Sequence, residues 1–290
     1  MKRNQSSLTA EGIAIVRAIE SQRPEGERVC FDPYARQLVN PFLFSMVNFF
    51  EKLGYGERKG PGVLGFIAAR ERHIDAYLER MLDEGFDQLV ILGAGLDARA
   101  YRFERLKISM HTFEVDHPAS QRAKRKKVTR VFGALPAHVR YVPVDFTSDS
   151  LEEKLLAAGY NPALKTFFIW QGVTPYLDLP AVDATLGFIV RRSAPRSAVV
   201  FDYMYTSLLD GTIKRGEVEK MNTDRVLKAE TLRFGIPEGQ VTAFLESRGF
   251  EDVQDADSET LKALYFHGEA ARRGVAYGYA IAAARVKARG

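Results

Sequence analysis

A chain of 290 residues, 46% apolar and 27% charged, suits one large α/β domain or a core with an added cap, and has the make-up of an ordinary soluble globule. One cysteine, Cys30, excludes an internal disulfide framework and fits a reducing compartment. The net charge of +4 tolerates an anionic partner but alone gives little support for nucleic-acid binding.

In chain order, residues 1–80 read mostly as helix. The N-terminus shows no apolar signal core, and the greasiest stretch, residues 42–50, is far shorter than the ~20 residues that span a bilayer. A soluble, cytoplasmic protein is expected. Thr9 is placed to cap a helix whose apolar positions recur through Ile19, and Asp32-Pro33-Tyr34-Ala35 reads as a second helix start with proline in its first turn. The glycine-rich stretch from Gly54 to Gly65 predicts a mobile loop, and helix resumes over 67–82.

The pattern then changes. Short β-branched and aromatic runs at 88–92, 111–115, 140–144, 166–170 and 198–203 read as buried strands. Helical stretches at 121–132, 151–158 and 181–193 fall between them, which predicts a parallel sheet with helices on both faces. After the fifth strand a charged helical insertion is expected over 205–234. A helix over 238–248 and two late strands, 251–255 and 275–286, follow, the pair expected to be antiparallel.

The first strand runs into Gly93-Ala94-Gly95-Leu96-Asp97-Ala98. Glycines there let backbone approach a ligand closely, and a following helix start offers free N–H groups. The same spacing satisfies the dinucleotide fingerprint, with Asp116 at about the right distance downstream, so a NAD-dependent oxidoreductase stays open on the motif alone. Two features favour S-adenosylmethionine. Asp97, within the loop, would repel a pyrophosphate but suits an ammonium or sulfonium. Asp145-Phe146, after the third strand, sets an acid beside an aromatic, as an adenine amino group and ring face require. Asp97 can instead pair locally with Arg99 or Arg102.

Residues 69–75 and 90–102, with Phe113-Glu114-Val115-Asp116-His117-Pro118, Tyr141-Val142-Pro143-Val144-Asp145-Phe146, Trp170-Gln171-Gly172-Val173-Thr174-Pro175-Tyr176-Leu177 and Arg233-Phe234-Gly235-Ile236, resemble the leucine carboxyl methyltransferase-like family, in its bacterial O-methyltransferase branch. The resemblance runs from about residue 10 to 255. It implies a Rossmann-like class I methyltransferase with a seven-stranded, mostly parallel sheet and an antiparallel C-terminal strand. A helical cap would occupy 1–82 and the core 83–290, with a lid insertion at 205–234. It also implies roles. Arg70 would bind the cofactor carboxylate, and Gly93, Ala94 and Gly95 would pass under the methionine portion. Asp116, flanked by His117, would hold the ribose, and Asp145 with Phe146 the adenine. Gln171, Gly172 and Tyr176 would lie beside the reacting end, Gln171 and Tyr176 as positioning candidates. The family usually has Glu where this chain has Gln171. Glutamine keeps the acceptor oxygen and loses the charge, so neutralising the cofactor ammonium would fall to Asp97 or a backbone carbonyl, or activity would be lost and binding kept.

A sulfonium methyl is already activated, so the enzyme must align an acceptor and exclude water. A carboxylate, with a free pKa of about 4, needs no base; a phenol or alcohol gains from one. The five histidines form no Ser–His–Asp set and no metal-ligand spacing. A base-free reaction on a carboxylate is therefore preferred. Aromatics at Phe42, Phe44, Phe49, Phe50, Tyr203 and Tyr205 would suit an apolar small-molecule acid, or serve only as packing. Arg122-Ala123-Lys124-Arg125-Lys126-Lys127 reads as a solvated helix face; an RNA methyltransferase, or one acting on a protein C-terminus, is the alternative.

Overall fold

Apolar residues on the first strand alternate between two cores, Leu89 and Ile91 on one side of the sheet and Val90 and Leu92 on the other. A strand sandwiched this way is apolar throughout, and β1 (Gln88–Leu92) is buried at every position. The computed structural model describes residues 5–146, 148–212 and 232–288, with the side chains of 5–9 left aside. Its remaining strands are β2 (His111–Asp116), β3 (Val139–Pro143), β4 (Thr166–Trp170), β5 (Ala198–Met204), β6 (Phe250–Ala256) and β7 (Tyr279–Val286). They form one sheet in the order β3-β2-β1-β4-β5-β7-β6. The pairs among β1 to β5 are parallel, and β7 is antiparallel to both β5 and β6. The seven-stranded sheet with one reversed C-terminal strand is as expected. The order reverses between β1 and β4, and open α/β sheets bind ligands at the strand ends beside such a switch.

Before the sheet come α1 (Gln5–Ser21), α2 (Ala35–Leu38), α3 (Pro41–Lys52), α4 (Tyr55–Lys59) and α5 (Val63–Asp83). Asp32 Oδ1 accepts from the N–H groups of Tyr34 and Ala35, which starts the short α2 as its Asp-Pro signal predicts. Asn40 caps α3 by accepting from Phe42 and Leu43. Between the strands lie α6 (Arg99–Arg102), α7 (Leu106–Ser109), α8 (Pro118–Phe132), α9 (Leu151–Ala157) and α10 (Leu179–Arg191). No helix among the described residues is long and apolar enough to cross a membrane.

Three expectations are corrected. The stretch from Gly54 to Gly65 is not one long loop: it contains α4 and the first turn of α5. Its glycines mark sharp reversals, with Gly54 at φ +68° and Gly62 at +72° immediately before the two helices. The last strand begins at Tyr279, not near 275, because the preceding backbone is used elsewhere: Ala276 N donates to Gly62 O at 2.9 Å. A Cβ on Gly65 would fall 1.9 Å from Gly274 O, so this passage of 274–276 requires glycine. The helix expected over 238–248 is confined to Val241–Glu246. Of the 205–234 insertion, Thr206–Leu209 is helical and Tyr205 bridges to Ile236; 213–231 lies outside the described residues.

Candidate active site

The loop after β1 turns on two glycines in the left-handed region, Gly93 at φ +68° and Gly95 at +43°. A Cβ on Gly93 would lie 2.3 Å from Val173 Cγ2, so the loop packs against the segment that follows β4. Ala94 N donates to Val115 O at 3.0 Å, tying the loop to the end of β2. From the other side, α1 covers it: a Cβ on Gly95 would lie 3.3 Å from Ala10 Cβ, and Arg17 Nη2 donates to Leu96 O at 2.5 Å.

Asp116 closes β2. Its Oδ2 accepts from Gly95 N and its Oδ1 from His117 N, both at 2.7 Å. Burial pushes the Asp116 carboxyl up, against these two hydrogen bonds. Each oxygen keeps a second lone pair for a ligand hydroxyl. His117 caps α8 through Nδ1, accepting from Ala119 N at 3.2 Å, and its Nε2 lies 3.7 Å from Asp145 Oδ2. Asp145 N in turn donates to Asp149 Oδ2 at 3.0 Å, and the Phe146 ring is 52% exposed. Asp116, His117, Asp145 and Phe146 therefore share the carboxyl edge of β2 and β3, where the sequence placed them.

Arg70, on α5, is 5% exposed. Its Nη1 donates to Asp202 Oδ2 at 2.5 Å, and Asp202 Oδ1 accepts from Gly172 N at 2.6 Å. Asp202 thus ties α5 to the segment after β4. Arg70 Nε is buried with no hydrogen-bond partner. Gly172, at φ +68°, would place a Cβ 3.7 Å from Arg70 Nη1. A buried guanidinium with a donor to spare, beside a bare backbone turn, fits an anionic group such as the carboxylate of S-adenosylmethionine.

Behind the loop lies a buried ion-pair network of which the sequence offered only the local pairing of Asp97. Arg99 has no solvent exposure. Its Nε donates to Asp75 at 2.7 Å, Nη2 to Glu71 Oε2 at 2.7 Å, and Nη1 to Gln171 Oε1 at 2.8 Å and also to Asp97. Asp97 Oδ1 accepts from Arg99 N as well, so this carboxylate takes its local partner. Burial works to raise the Asp97 carboxyl, but Arg99, Arg17 and Lys124 hold it well below the usual carboxylate range. Gln171 Nε2 donates to Glu71 Oε1 at 2.5 Å. The amide is therefore locked, its oxygen on a donor-only guanidinium and its nitrogen on a carboxylate. Arg17 extends the network to Asp32 and Glu71, and Arg102 to Asp75. Lys124, in the basic run, is not solvated: it is 1% exposed and paired with Glu114 at 2.8 Å, while Arg122, Arg125 and Lys126 of the same helix are exposed. The legible signals were Asp202 inside the apolar run of β5 and the adjacent Arg70-Glu71 pair.

Tyr176 sits in a 3₁₀ turn after β4, half-buried. Phe44, Tyr203 and Tyr205 are core residues, whereas Phe42, Phe49 and Phe50 of α3 are exposed.

The sheet order, the glycine loop at the switch point and the acids at the ends of β2 and β3 define a class I methyltransferase arrangement. A solved methyltransferase-like structure from Thermobifida fusca shares this fold, with a TM-score of 0.58 over 95% of each chain at 12% identity. The sequence profile of leucine carboxyl methyltransferases matches residues 10–190. YktD of Bacillus subtilis (strain 168), named as an S-adenosyl-L-methionine-dependent methyltransferase, is 28% identical over 92% of this chain and 93% of its own. A Frankia alni protein named in the same way, FRAAL3836, is 34% identical over 70% of this chain and 71% of its own. The chain belongs to the leucine carboxyl methyltransferase family and is an S-adenosylmethionine-dependent methyltransferase.

Proposed function

We propose that the enzyme transfers the methyl group to a carboxylate oxygen of a small, apolar or aromatic acid in the cytoplasm. The observation that carries this reading is the commitment of His73, His117 and His138 to structural partners. His73 is half-buried against Tyr265, its Nδ1 2.8 Å from the Tyr265 hydroxyl, and desolvation together with Arg80 pulls its pKa down to about 4. His138 Nε2 bonds the Ala100 carbonyl at 2.7 Å, and His117 caps α8. A carboxylate acceptor asks for no base: it is ionised at neutral pH and needs placement and water exclusion. The sulfonium supplies the activated methyl; the chain's own side chains bind, orient and shield.

The same reading divides the chain into a cap over 1–82 and a core over 83–290. Arg70 takes the cofactor carboxylate, Gly93, Ala94, Gly95 and Gly172 line the methionine portion, Asp116 with His117 takes the ribose diol, and Asp145 with Phe146 the adenine. Asp97 and Gln171 act from behind through Arg99, and Tyr176 flanks the acceptor. The exposed Phe42, Phe49 and Phe50 supply an apolar approach for the acid. The test is chemical. With methyl-labelled cofactor and a panel of aryl and alkyl acids, the product should release labelled methanol under mild alkali, as a methyl ester does. An alkali-stable product would sink the carboxylate reading.

A further inference from the structure

Helix α3 is apolar on two faces. Leu43, Phe44 and Val47 pack inward with Ala14, Ile15 and Ala18 of α1. With ~3.6 residues per turn, Phe42, Met46, Phe49, Phe50 and the C-cap residue Leu53 fall within about 100° of arc on another side. All five are exposed, Phe42 at 79% and Phe49 at 60%. Tyr55 of α4, also exposed, extends the stripe: the Phe49 and Phe50 ring centres are 5.8 Å apart, and those of Phe50 and Tyr55 5.7 Å. A helix with two apolar faces ordinarily buries both, and a continuous exposed apolar patch marks a contact surface.

The charges around the stripe are sorted by sign. Lys52 is three residues beyond Phe49, hence its neighbour on the helix surface. Arg58 Nη2 donates to Leu53 O at 2.8 Å, which sets the guanidinium at the end of the stripe. Lys59 Nζ lies 5.6 Å from the centre of the Tyr55 ring. All three cations are exposed. The acids between residues 41 and 60 are Glu51 and Glu57, and both turn onto backbone. Glu51 folds back so far that a Cβ on Gly56 would fall 1.9 Å from its Oε1, and Glu57 Oε1 accepts from Gly62 N at 3.0 Å.

We propose that the outer face of α3, with α4 beside it, docks on an anionic lipid bilayer. The aromatic and aliphatic side chains enter the headgroup boundary, and Lys52, Arg58 and Lys59 meet the lipid phosphates. An aromatic stripe edged by lysine and arginine is the make-up of a helix that lies in the plane of the interface, and each cation there adds attraction to an anionic leaflet. A second copy of the chain fits less well, since a two-fold contact would bring the same cations to its own edges with no outward acid to meet them. The inference goes beyond the acceptor reading: the aromatics given to the acid's approach would meet lipid, and docking holds whichever acceptor is methylated.

The test is flotation of the full chain, without cofactor or acceptor, on vesicles of phosphatidylcholine and phosphatidylglycerol in equal amounts, against phosphatidylcholine alone. The protein should float with the mixed vesicles and detach as salt is raised. Lys52→Gln, Arg58→Gln and Lys59→Gln together should weaken binding about a hundredfold, ~fivefold for each cation. Met46→Ser with Leu53→Ser, which leaves every charge in place, should cost tenfold or more, as ~25 cal/mol per Å² of apolar burial implies. The same charge change on α8, Arg122→Gln with Arg125→Gln and Lys126→Gln, should leave flotation within about twofold. Absence of flotation, equal flotation with neutral vesicles, loss in the α8 variant alone, or a Met46→Ser, Leu53→Ser protein that floats undiminished overturns the inference. So does self-association in place of flotation, which would assign the face to a second copy.

Discussion

Arg99 spends its whole guanidinium inside the protein, on Asp75, Glu71, Asp97 and Gln171. Burial alone would favour losing its proton, but those three carboxylates more than offset this and raise its pKa. Arg99→Ala leaves Asp97 buried without its ion-pair partner and strips one partner each from Glu71 and Asp75, and should cost about 3–5 kcal/mol, read as a lower denaturation midpoint with unchanged slope. Arg99→Lys should recover little, because one ammonium cannot replace a planar fork of donors. At Gly93 the constraint is steric twice over. Gly93→Ala meets Val173 Cγ2 and also carries a side chain at φ +68°. It should weaken cofactor binding, and adding Val173→Ala should restore only part of the loss, since the backbone strain remains. His73 gives a pH signature. Its folded pKa of about 4 lies below the ordinary 6.5, so the unfolded chain binds more protons in between. Its contribution is complete above about pH 6.5 and is lost as pH falls toward 4. The melting temperature of His73→Gln relative to the unsubstituted protein should therefore rise as pH drops through that window; a constant difference would refute the assignment.

At the scale of elements, α1 holds the glycine loop from above. Arg17 bonds the Leu96 carbonyl, the Asp32 carboxylate that starts α2, and Glu71 on α5. One side chain thus fastens α1, α2, α5 and the glycine loop together. Arg17→Ala should speed amide exchange in residues 93–97 and weaken S-adenosylhomocysteine together with methylthioadenosine, since the whole loop loosens rather than one contact. A different stabiliser operates at the far edge of the sheet. β6 has an irregularity between Glu251 and Gln254, where Asp252 adopts φ +53° and its carboxylate lies 3.2 Å from Arg196, itself at φ +64°. A bulge of this kind twists an edge strand away from further pairing.

For the whole molecule, the parallel sheet was legible because each strand is an apolar run at near-constant spacing, and the strand-end acids Asp116 and Asp145 stand at the carboxyl edge of their strands. The buried network was not legible. The sequence offered only the local pairing of Asp97 with Arg99 or Arg102; the approach of α1 and α5 to the loop is what joins Arg17 and Arg99 to Glu71, 54 and 28 positions away. Two of the glycines between 54 and 65, Gly62 and Gly65, misled for a related reason, since what they meet is the remote backbone at 274–276. If the proposed site is right, ligand binding draws on α5 as well as the sheet and should couple to global stability. S-adenosylhomocysteine at a hundred times its Kd adds about 2.7 kcal/mol to the native state. For a chain of this size that is a rise in Tm of about 5 °C. On the proposed cofactor reading Arg70→Ala and Asp116→Ala remove contacts to opposite ends of the ligand, and each should then reduce the rise at the same ligand concentration. A hundredfold loss of affinity leaves about 0.4 kcal/mol, below about 1 °C. Arg105→Ala, which breaks only the exposed pair with Asp83, should keep the full shift. If both cleft variants also keep it, the cofactor does not lie along the line from Arg70 to Asp116.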